Sequence, residues 1–177
     1  MSSNGAYLSG IERTFEPDEV IVTKTDLSGK MTYVNPTFLK MAGYAERDCL
    51  GQPHNLIRHP EMPRAVFKLL WDTLQAGNEI FAYVNNRSMN GDYYWVFAHV
   101  TPSRDAAGEI VGYHSNRRVP NKQVIVEHIE PLYRQLLAQE QAETSPKTGL
   151  DKSFQSVVDL LGDAKLDFNQ FMFSLGV

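Results

Sequence analysis

Two polar side chains near the middle of the chain, Arg58 and His59, stand in a segment bounded by prolines. Pro53 precedes the pair, and Pro60 and Pro63 follow it. Because proline fixes φ and lacks a backbone donor, neither a long helix nor a central strand is expected here. A fixed loop leaves its side chains available to a ligand. A guanidinium suits phosphate or a carbonyl-rich ring, and a neutral imidazole supplies one donor and one acceptor. The structural alternative is a surface arginine and a histidine at a helix end.

Metal and enzyme chemistry are not indicated. His54 and His59 are five positions apart beside prolines, so they cannot share a helical face as metal ligands. Cys49 is the single cysteine, which excludes an internal disulfide, a multi-cysteine zinc site and an iron–sulfur cluster. The sequence contains no Gly-x-Ser-x-Gly elbow, Walker loop or Gly-x-Gly-x-x-Gly motif. We expect a protein that is not an enzyme, with no catalytic residue and no metal site.

The composition is that of a globular, slightly acidic protein. Of 177 residues, 42% are hydrophobic and 21% charged, and the formal net charge is −4. Nucleic acids and anionic membranes require a concentrated basic face, so neither is an expected partner. No run approaches the ~18 apolar residues of a membrane span, and the first residues do not resemble a signal peptide. We therefore expect a cytoplasmic protein without direct membrane insertion.

Short strands and helices must position these side chains. A hairpin is predicted around the turn at Gly29, and a second, longer one around Asn90-Gly91. Asn35 is a candidate N-cap for a short helix, because Pro36 follows it, and a longer helix is predicted after Pro63. In the long hairpin both side-chain faces are apolar or aromatic, so both must be covered. Five antiparallel strands are expected, over residues 20–24, 31–34, 80–88, 92–102 and 110–119.

The last third of the chain has a helical pattern. A helix is predicted over 121–141, with a kink or interruption at Pro131. Ser145-Pro146 makes 142–149 a candidate linker, and an amphipathic stretch follows it. The apolar side of that stretch would either dock or dimerise, or fold back on its own sheet. The predicted organisation is an N-terminal segment, a main domain, a helix, and a linker with a helical tail, over 1–17, 18–120, 121–141 and 142–177.

Several motifs resemble PAS domains: Tyr-Val-Asn-Pro-Thr-Phe at 33–38, Gly-Gln-Pro-His-Asn at 51–55 and Asn-Gly-Asp-Tyr-Tyr-Trp at 90–95. Within that family, residues 52–63 closely resemble the FAD-binding PAS domains of bacterial aerotaxis receptors, with Glu61 where those have aspartate. The resemblance covers 18–120. It implies an α+β PAS fold, in which a five-stranded antiparallel sheet carries short helices on one face, here followed by a C-terminal helical extension.

The resemblance also implies roles for individual residues. Arg58 and His59 become expected flavin contacts, with His54 and Asn55 beside them. Asn86 stands where light-sensing flavin PAS domains use an asparagine on the ring edge, and Arg117 where they use a glutamine. The structural alternatives are an amide satisfied within the sheet and a salt bridge. Asn35 could contact the ligand besides capping its helix. Three aromatic residues could border a flat ring or belong to the core: Trp71, Phe81 and Trp95.

By resemblance we expect a free-standing cytoplasmic redox or energy sensor that holds FAD non-covalently. These 177 residues show neither the membrane anchor nor the coiled coil of aerotaxis receptors, so the expected partner is a chemoreceptor or other signalling protein lacking its own sensor. A homodimer is also expected as a possible assembly. Two alternatives stay open: a haem-binding PAS gas sensor with one axial histidine, and a cofactor-free PAS interaction module. Cys49 precedes the position of the photosensory cysteine, so adduct photochemistry is not expected.

Overall fold

The computed structural model describes residues 7–176 of the chain. Its sheet has five antiparallel strands in the spatial order β2-β1-β5-β4-β3, which confirms the predicted sheet. The long β3–β4 hairpin turns at Asn90-Gly91 as predicted, and β5 joins it to the first hairpin. The strands are β1 (Ile21–Thr25), β2 (Met31–Val34), β3 (Ile80–Arg87), β4 (Tyr93–Arg104) and β5 (Ile110–Arg118).

Short helices between β2 and β3 cover one face of the sheet. Asn35 caps the first of them: its side-chain oxygen accepts from the N–H of Phe38, with Pro36 in the first turn. The prolines at 53, 60 and 63 limit the next segment to a single 3-10 turn before a longer helix begins. These helices are α1 (Pro36–Ala42), α2 (Glu46–Cys49), a 3-10 helix (His54–Ile57) and α3 (Arg64–Gln75).

The other face of the sheet is covered by the C-terminal third of the chain, so the prediction that both faces are covered is confirmed. Phe173 contacts Phe81, with ring centroids 4.8 Å apart. Along the free edge of β3, the N–H of Phe81 donates to Asn169 Oδ1 (2.8 Å) and the Tyr133 hydroxyl donates to the Tyr83 carbonyl (2.8 Å). These bonds satisfy edge groups that would otherwise be open to another strand. The tail therefore folds back on its own sheet.

The predicted helix over 121–141 forms without a break at Pro131. It comprises α4 (Lys122–Val124), a π-helical segment (Ile125–Ile129) and α5 (Glu130–Gln141). A proline ring collides with the carbonyl four residues earlier, and its nitrogen cannot donate. The helix avoids the collision and the missing donor through a wider π turn immediately before Pro131. In this turn the Glu130 N–H bonds to the Ile125 carbonyl. The expected interruption is thus a local change of helical pitch.

The tail contains α6 (Pro146–Ala164) and α7 (Phe168–Ser174). Helix α6 begins inside the segment predicted as a linker, which corrects that boundary. Ser145-Pro146 was interpreted as a loop signal, but Ser145 accepts from the Thr148 N–H and Pro146 occupies the first helical position. The same dipeptide therefore starts a helix. At the other end of the described chain, the Arg13 N–H donates to the Tyr93 carbonyl (2.7 Å), so the predicted N-terminal segment packs beside β4.

Residues 1–6 and 177, which belong to the predicted N-terminal segment and tail, lie outside the described residues. Within 7–176, no helix combines the length and the apolar character needed to cross a membrane.

Helices α5 and α6 approach closely at Gly149. A Cβ at this position would lie 2.5 Å from the Glu140 carbonyl oxygen, whereas one at Gly162 in the same helix would meet nothing within 4 Å. We expect Gly149→Ala to lower the free energy of unfolding by about 1–3 kcal/mol, because the helices must separate. Gly162→Ala should raise it by about 0.5–1 kcal/mol, because alanine favours a helix. Urea denaturation of both variants measures the difference, and equal effects would contradict the close contact.

Candidate ligand-binding site

A cavity of about 540 Å³ lies between the inner face of the sheet and the helices that precede β3. This volume is within the range of about 300–1,000 Å³ typical of small-molecule pockets. Strands β1, β3, β4 and β5 form its floor, α3 and the 3-10 helix its roof, and Leu150 of α6 part of its wall. Six of the ten predicted site residues line it: His54, Asn55, Arg58, Trp71, Asn86 and Arg117.

Three buried polar atoms of the cavity wall have no hydrogen-bond partner among the described residues: Thr25 Oγ1, Asn86 Nδ2 and Arg117 Nη1. Asn86 and Arg117 are each only 3% exposed. Buried polar groups are almost always hydrogen-bonded, and leaving one unpaired costs about 1–3 kcal/mol. The cavity therefore presents unused donors from three strands of its floor, β1, β3 and β5, which suits a ligand that carries acceptors.

Arg117 is held from the opposite side. Its Nη2 donates to Thr23 Oγ1 (2.5 Å) and to His54 Nε2 (2.6 Å). Burial lowers the pKa of Arg117 to about 10, so the guanidinium remains charged near neutral pH. Within residues 7–176 it forms no ion pair with a carboxylate. The result is a buried positive charge facing the cavity without an anion, an arrangement that favours a partly or fully negative ligand.

His54 is a neutral acceptor in this cluster. Burial, and secondly the charge of Arg117, lower its pKa to about 3. Its ring therefore remains unprotonated at neutral and mildly acidic pH. With Nε2 accepting from Arg117, the ring proton is assigned to Nδ1.

The depressed pKa of His54 makes stability depend on pH. The unfolded chain takes up a proton on His54 below pH 6.5, whereas the folded protein does so only near pH 3. Between these values the unfolded state binds more protons, so stability falls as the pH falls, by up to about 1.4 kcal/mol per pH unit. We expect His54→Gln to flatten this dependence between pH 6.5 and 5 in urea denaturation. The exposed His128→Gln control should retain it, and a His54→Gln slope equal to wild type would contradict the assignment.

Arg58 and Trp71 lie on the roof of the cavity. The Arg58 guanidinium donates to the Met62 carbonyl (2.9 Å) and lies 4.3 Å from the centre of the Phe67 ring. Burial lowers its pKa. Trp71 meets Tyr113 edge to face at 5.3 Å, which leaves an aromatic wall beside the cavity. These positions agree with a site that is polar on its floor and largely apolar on its roof.

Four predicted site residues lie elsewhere. Asn35 is fully used: besides capping α1, it accepts from the Val22 N–H (3.0 Å) and donates to the Val20 carbonyl (2.8 Å). Phe81 and Trp95 point to the opposite face of the sheet, because side chains alternate along a strand and both residues are out of phase with the cavity-lining Asn86 and Ala98. There Phe81 stacks on His99 at 4.1 Å. The expectation that these aromatic residues border the ligand is corrected to packing beneath the C-terminal helices.

His59 also lies outside this cavity, although it follows Arg58 directly. It is 4% exposed and lines a second cavity together with Asn85, whose carbonyl lies 3.4 Å from the His59 backbone N–H at the free edge of β3. The expected joint contact of Arg58 and His59 with one ligand is therefore corrected. In an extended backbone the side chains of adjacent residues point in opposite directions, and the pairing of this segment with β3 imposes that geometry.

Thr25, Tyr113, Ser115 and Leu150 line the cavity but were missed in the sequence. Counting alternate residues back from Arg117 along β5 would have identified Ser115 and Tyr113, because they share its face. Leu150 had no comparable signal, since its position depends on how α6 packs against α3.

Comparisons with known proteins agree with this architecture. Residues 31–117 match the family described as PAS fold. The chain is 38% identical to the aerotaxis receptor of Escherichia coli (strain K12) over 137 residues, which are 77% of this chain and 26% of the receptor. It is 28% identical to the nitrogen fixation regulatory protein of Klebsiella pneumoniae over 58% of this chain and 21% of that protein. The chain thus spans about a quarter or less of these relatives.

Among solved structures, the dark structure of the blue-light photoreceptor Aureochrome1 LOV superposes with a TM-score of 0.53 and 25% identity. It covers 69% of this chain and 84% of the other. The matched family, the five-stranded sheet and the enclosing helices lead to one conclusion: the chain carries a PAS domain, and the cavity lies between the sheet and the helices of that domain.

Proposed function

We propose that this protein is a redox sensor that binds FAD in the cavity of its PAS domain and signals through contact with another protein. The observation that carries the proposal is the pair of unpartnered donors, Asn86 Nδ2 and Arg117 Nη1, on the floor of a cavity of ligand size. An isoalloxazine ring has carbonyl oxygens and ring nitrogens along one edge, which accept such donors. The likeness to a protein named aerotaxis receptor supports a redox input.

The residues present fit this cofactor. Asn86 and Arg117 would hold the polar edge of the ring, with the apolar part against Trp71. At the rim, Arg58 brings positive charge to the place where a phosphate-bearing chain would leave the cavity. A bound flavin supplies reversible electron transfer with a change in charge. Arg117, Thr23 and His54 form the hydrogen-bonded group that would respond to such a change.

The proposed output is a contact with a chemoreceptor or another signalling protein in the cytoplasm, without chemistry on a substrate. A change in the cavity would act directly on the C-terminal helices, because Leu150 of α6 lines the cavity and α6 packs on α3. Haem is less well supported, because an axial histidine needs a free ring nitrogen and Nε2 of His54 already accepts a hydrogen bond from Arg117.

The absorption spectrum of the purified protein tests the cofactor. A two-banded flavin spectrum, with FAD identified by chromatography after extraction, is the expected result. A Soret band would favour haem. A colourless protein that takes up neither group on reconstitution would favour a cofactor-free interaction module. Either of the last two results would overturn the proposal.

Substitution of neighbouring residues tests the location. We expect Arg58→Ala to reduce retained FAD at least about tenfold, because it removes a charge and a hydrogen-bond donor from the rim. His59→Ala should leave the FAD content within about twofold of wild type, since His59 lies on the other side of β3. The ratio of flavin to protein absorbance, with circular dichroism to verify folding, measures both. Equal losses in the two variants would contradict this placement.

A further inference from the structure

We propose a second small-molecule site, in the cavity that contains His59 on the opposite face of the sheet, for a planar heterocycle with a lactam edge. This outer cavity has a volume of about 630 Å³ and lies between the sheet, α5 and the loop before α3. Its principal lining residues are His59, Met62, Asn85, Tyr93, Trp95 and Tyr133. It shares no lining residue with the cavity proposed for FAD (the flavin cavity) and is independent of the proposed function.

The first argument is an unsatisfied amide. Asn85 is 6% exposed and lines the outer cavity, yet its Oδ1 has no partner among the described residues. Its backbone groups are used, since the N–H points to Met62 Sδ (3.3 Å) and the carbonyl to the His59 N–H (3.4 Å). A buried amide oxygen normally has a donor. The missing partner is therefore a donor N–H or O–H supplied from the cavity.

The second argument is the protonation of His59. Burial lowers its pKa, so the ring is neutral near pH 7. Its Nδ1 accepts the N–H of Glu61 (3.3 Å), which assigns the single ring proton to Nε2. His59 thus offers a donor, and Asn85 an acceptor, from two segments joined by a backbone contact of 3.4 Å. A donor and an acceptor in the lining of one cavity are complementary to a ligand that carries an N–H beside a carbonyl.

The third argument is the shape of the walls. Tyr93 packs edge to face on His59 with centroids 6.0 Å apart, and Trp95 lies 6.2 Å from Tyr133. The Tyr133 hydroxyl is already bonded to the Tyr83 carbonyl, so its ring contributes an apolar surface. Aromatic walls favour a flat ligand. Together with the polar pair, they favour a planar heterocyclic lactam.

The two cavities are separated by a thin wall. Arg58 and Asn86 line the flavin cavity, whereas their chain neighbours, His59 and Asn85, line the outer one. An isolated bridge pairs Arg58 with Asn86. A ligand in the outer cavity would therefore act on the backbone that also positions Arg58 and Asn86 in the flavin cavity.

Nuclear magnetic resonance of the full chain tests the site, because the two tryptophans lie one in each cavity. The probe is quinazolin-4(3H)-one, and the Trp71→Phe variant assigns the two indole N–H signals. We expect a saturable shift of the Trp95 signal, with Trp71 little changed. The 3-methyl derivative, which lacks the lactam N–H, should bind at least about tenfold more weakly to the wild-type protein.

The Asn85→Leu variant should keep its fold but bind the two probes with equal affinity. Absence of a saturable Trp95 shift would overturn the site. Equal binding of both probes to wild-type protein would overturn the lactam assignment, and a shift confined to Trp71 would place the probe in the other cavity and overturn the proposal.

Discussion

If FAD binds as proposed, replacing Arg117 with glutamine is expected to lower its reduction potential by at least about 60 mV, which corresponds to tenfold in a one-electron equilibrium. The guanidinium is 3% exposed, remains charged because its pKa is about 10, and forms no ion pair with a carboxylate within residues 7–176. A buried positive charge stabilises the added negative charge of a reduced ring. Glutamine retains a donor for Thr23 but removes the charge.

Arg118→Gln is the matched control, because Arg118 is the next residue of β5 and is exposed. Its potential should stay within about 15 mV of wild type, since water screens exposed charges. Redox titration followed by visible absorbance measures all three proteins. Equal reduction potentials for Arg117→Gln and wild type would show that Arg117 does not contact the ring, even if FAD is bound.

The sheet could be predicted from the sequence because its signals are local. The Asn90-Gly91 turn and the alternation of aromatic and aliphatic residues in β4 define a hairpin without reference to the rest of the chain. The Asn35-Pro36 helix start has the same local character. Such features depend on neighbouring residues, so the folded structure changes them little.

Membership of the site was harder to predict, because it depends on which face of a strand is turned inward. Arg117 and Asn86 were identified, while Phe81 and Trp95 belong to the other face. Strand alternation separates these sets only when the register is known, and one residue of error exchanges the faces. His59 illustrates the limit, because only its pairing with Asn85 shows that it faces away from Arg58.

The fate of the tail was undecidable from its amphipathic pattern, since a partner or the protein's own sheet could cover the apolar side. The structure resolves this through contacts between distant residues. Asn169 bonds to the edge of β3, Leu150 lines the cavity, and Glu140 joins three helices. None of these residues has a neighbour in sequence that signals the contact. The C-terminal helices therefore form an integrated layer of the fold.

Loss of the Glu140 carboxylate should be the most destabilising single change among the polar residues of that layer. Glu140 of α5 accepts hydrogen bonds from the N–H groups of Arg64 (3.0 Å) and Ala65 (2.9 Å), from Arg64 Nε (3.0 Å), and from Ser153 Oγ of α6 (2.9 Å). Pro63 provides no side-chain cap for α3, so Glu140 caps that helix from a distance. We expect Glu140→Ala to lower the free energy of unfolding by about 3–5 kcal/mol.

Glu140→Gln should cost less than alanine, because one carbonyl oxygen still accepts from the start of α3. Glu127→Ala, on the exposed side of the same helical run, should change stability by less than about 0.5 kcal/mol. Urea denaturation measures all three variants, and flavin retention should fall with Glu140→Ala because α3 carries Trp71 and α6 carries Leu150 into the cavity wall. A Glu140→Ala protein as stable as the Glu127→Ala control would show that the C-terminal helices are not part of the cooperative fold, and α6 would then be a detachable wall of the sensor cavity.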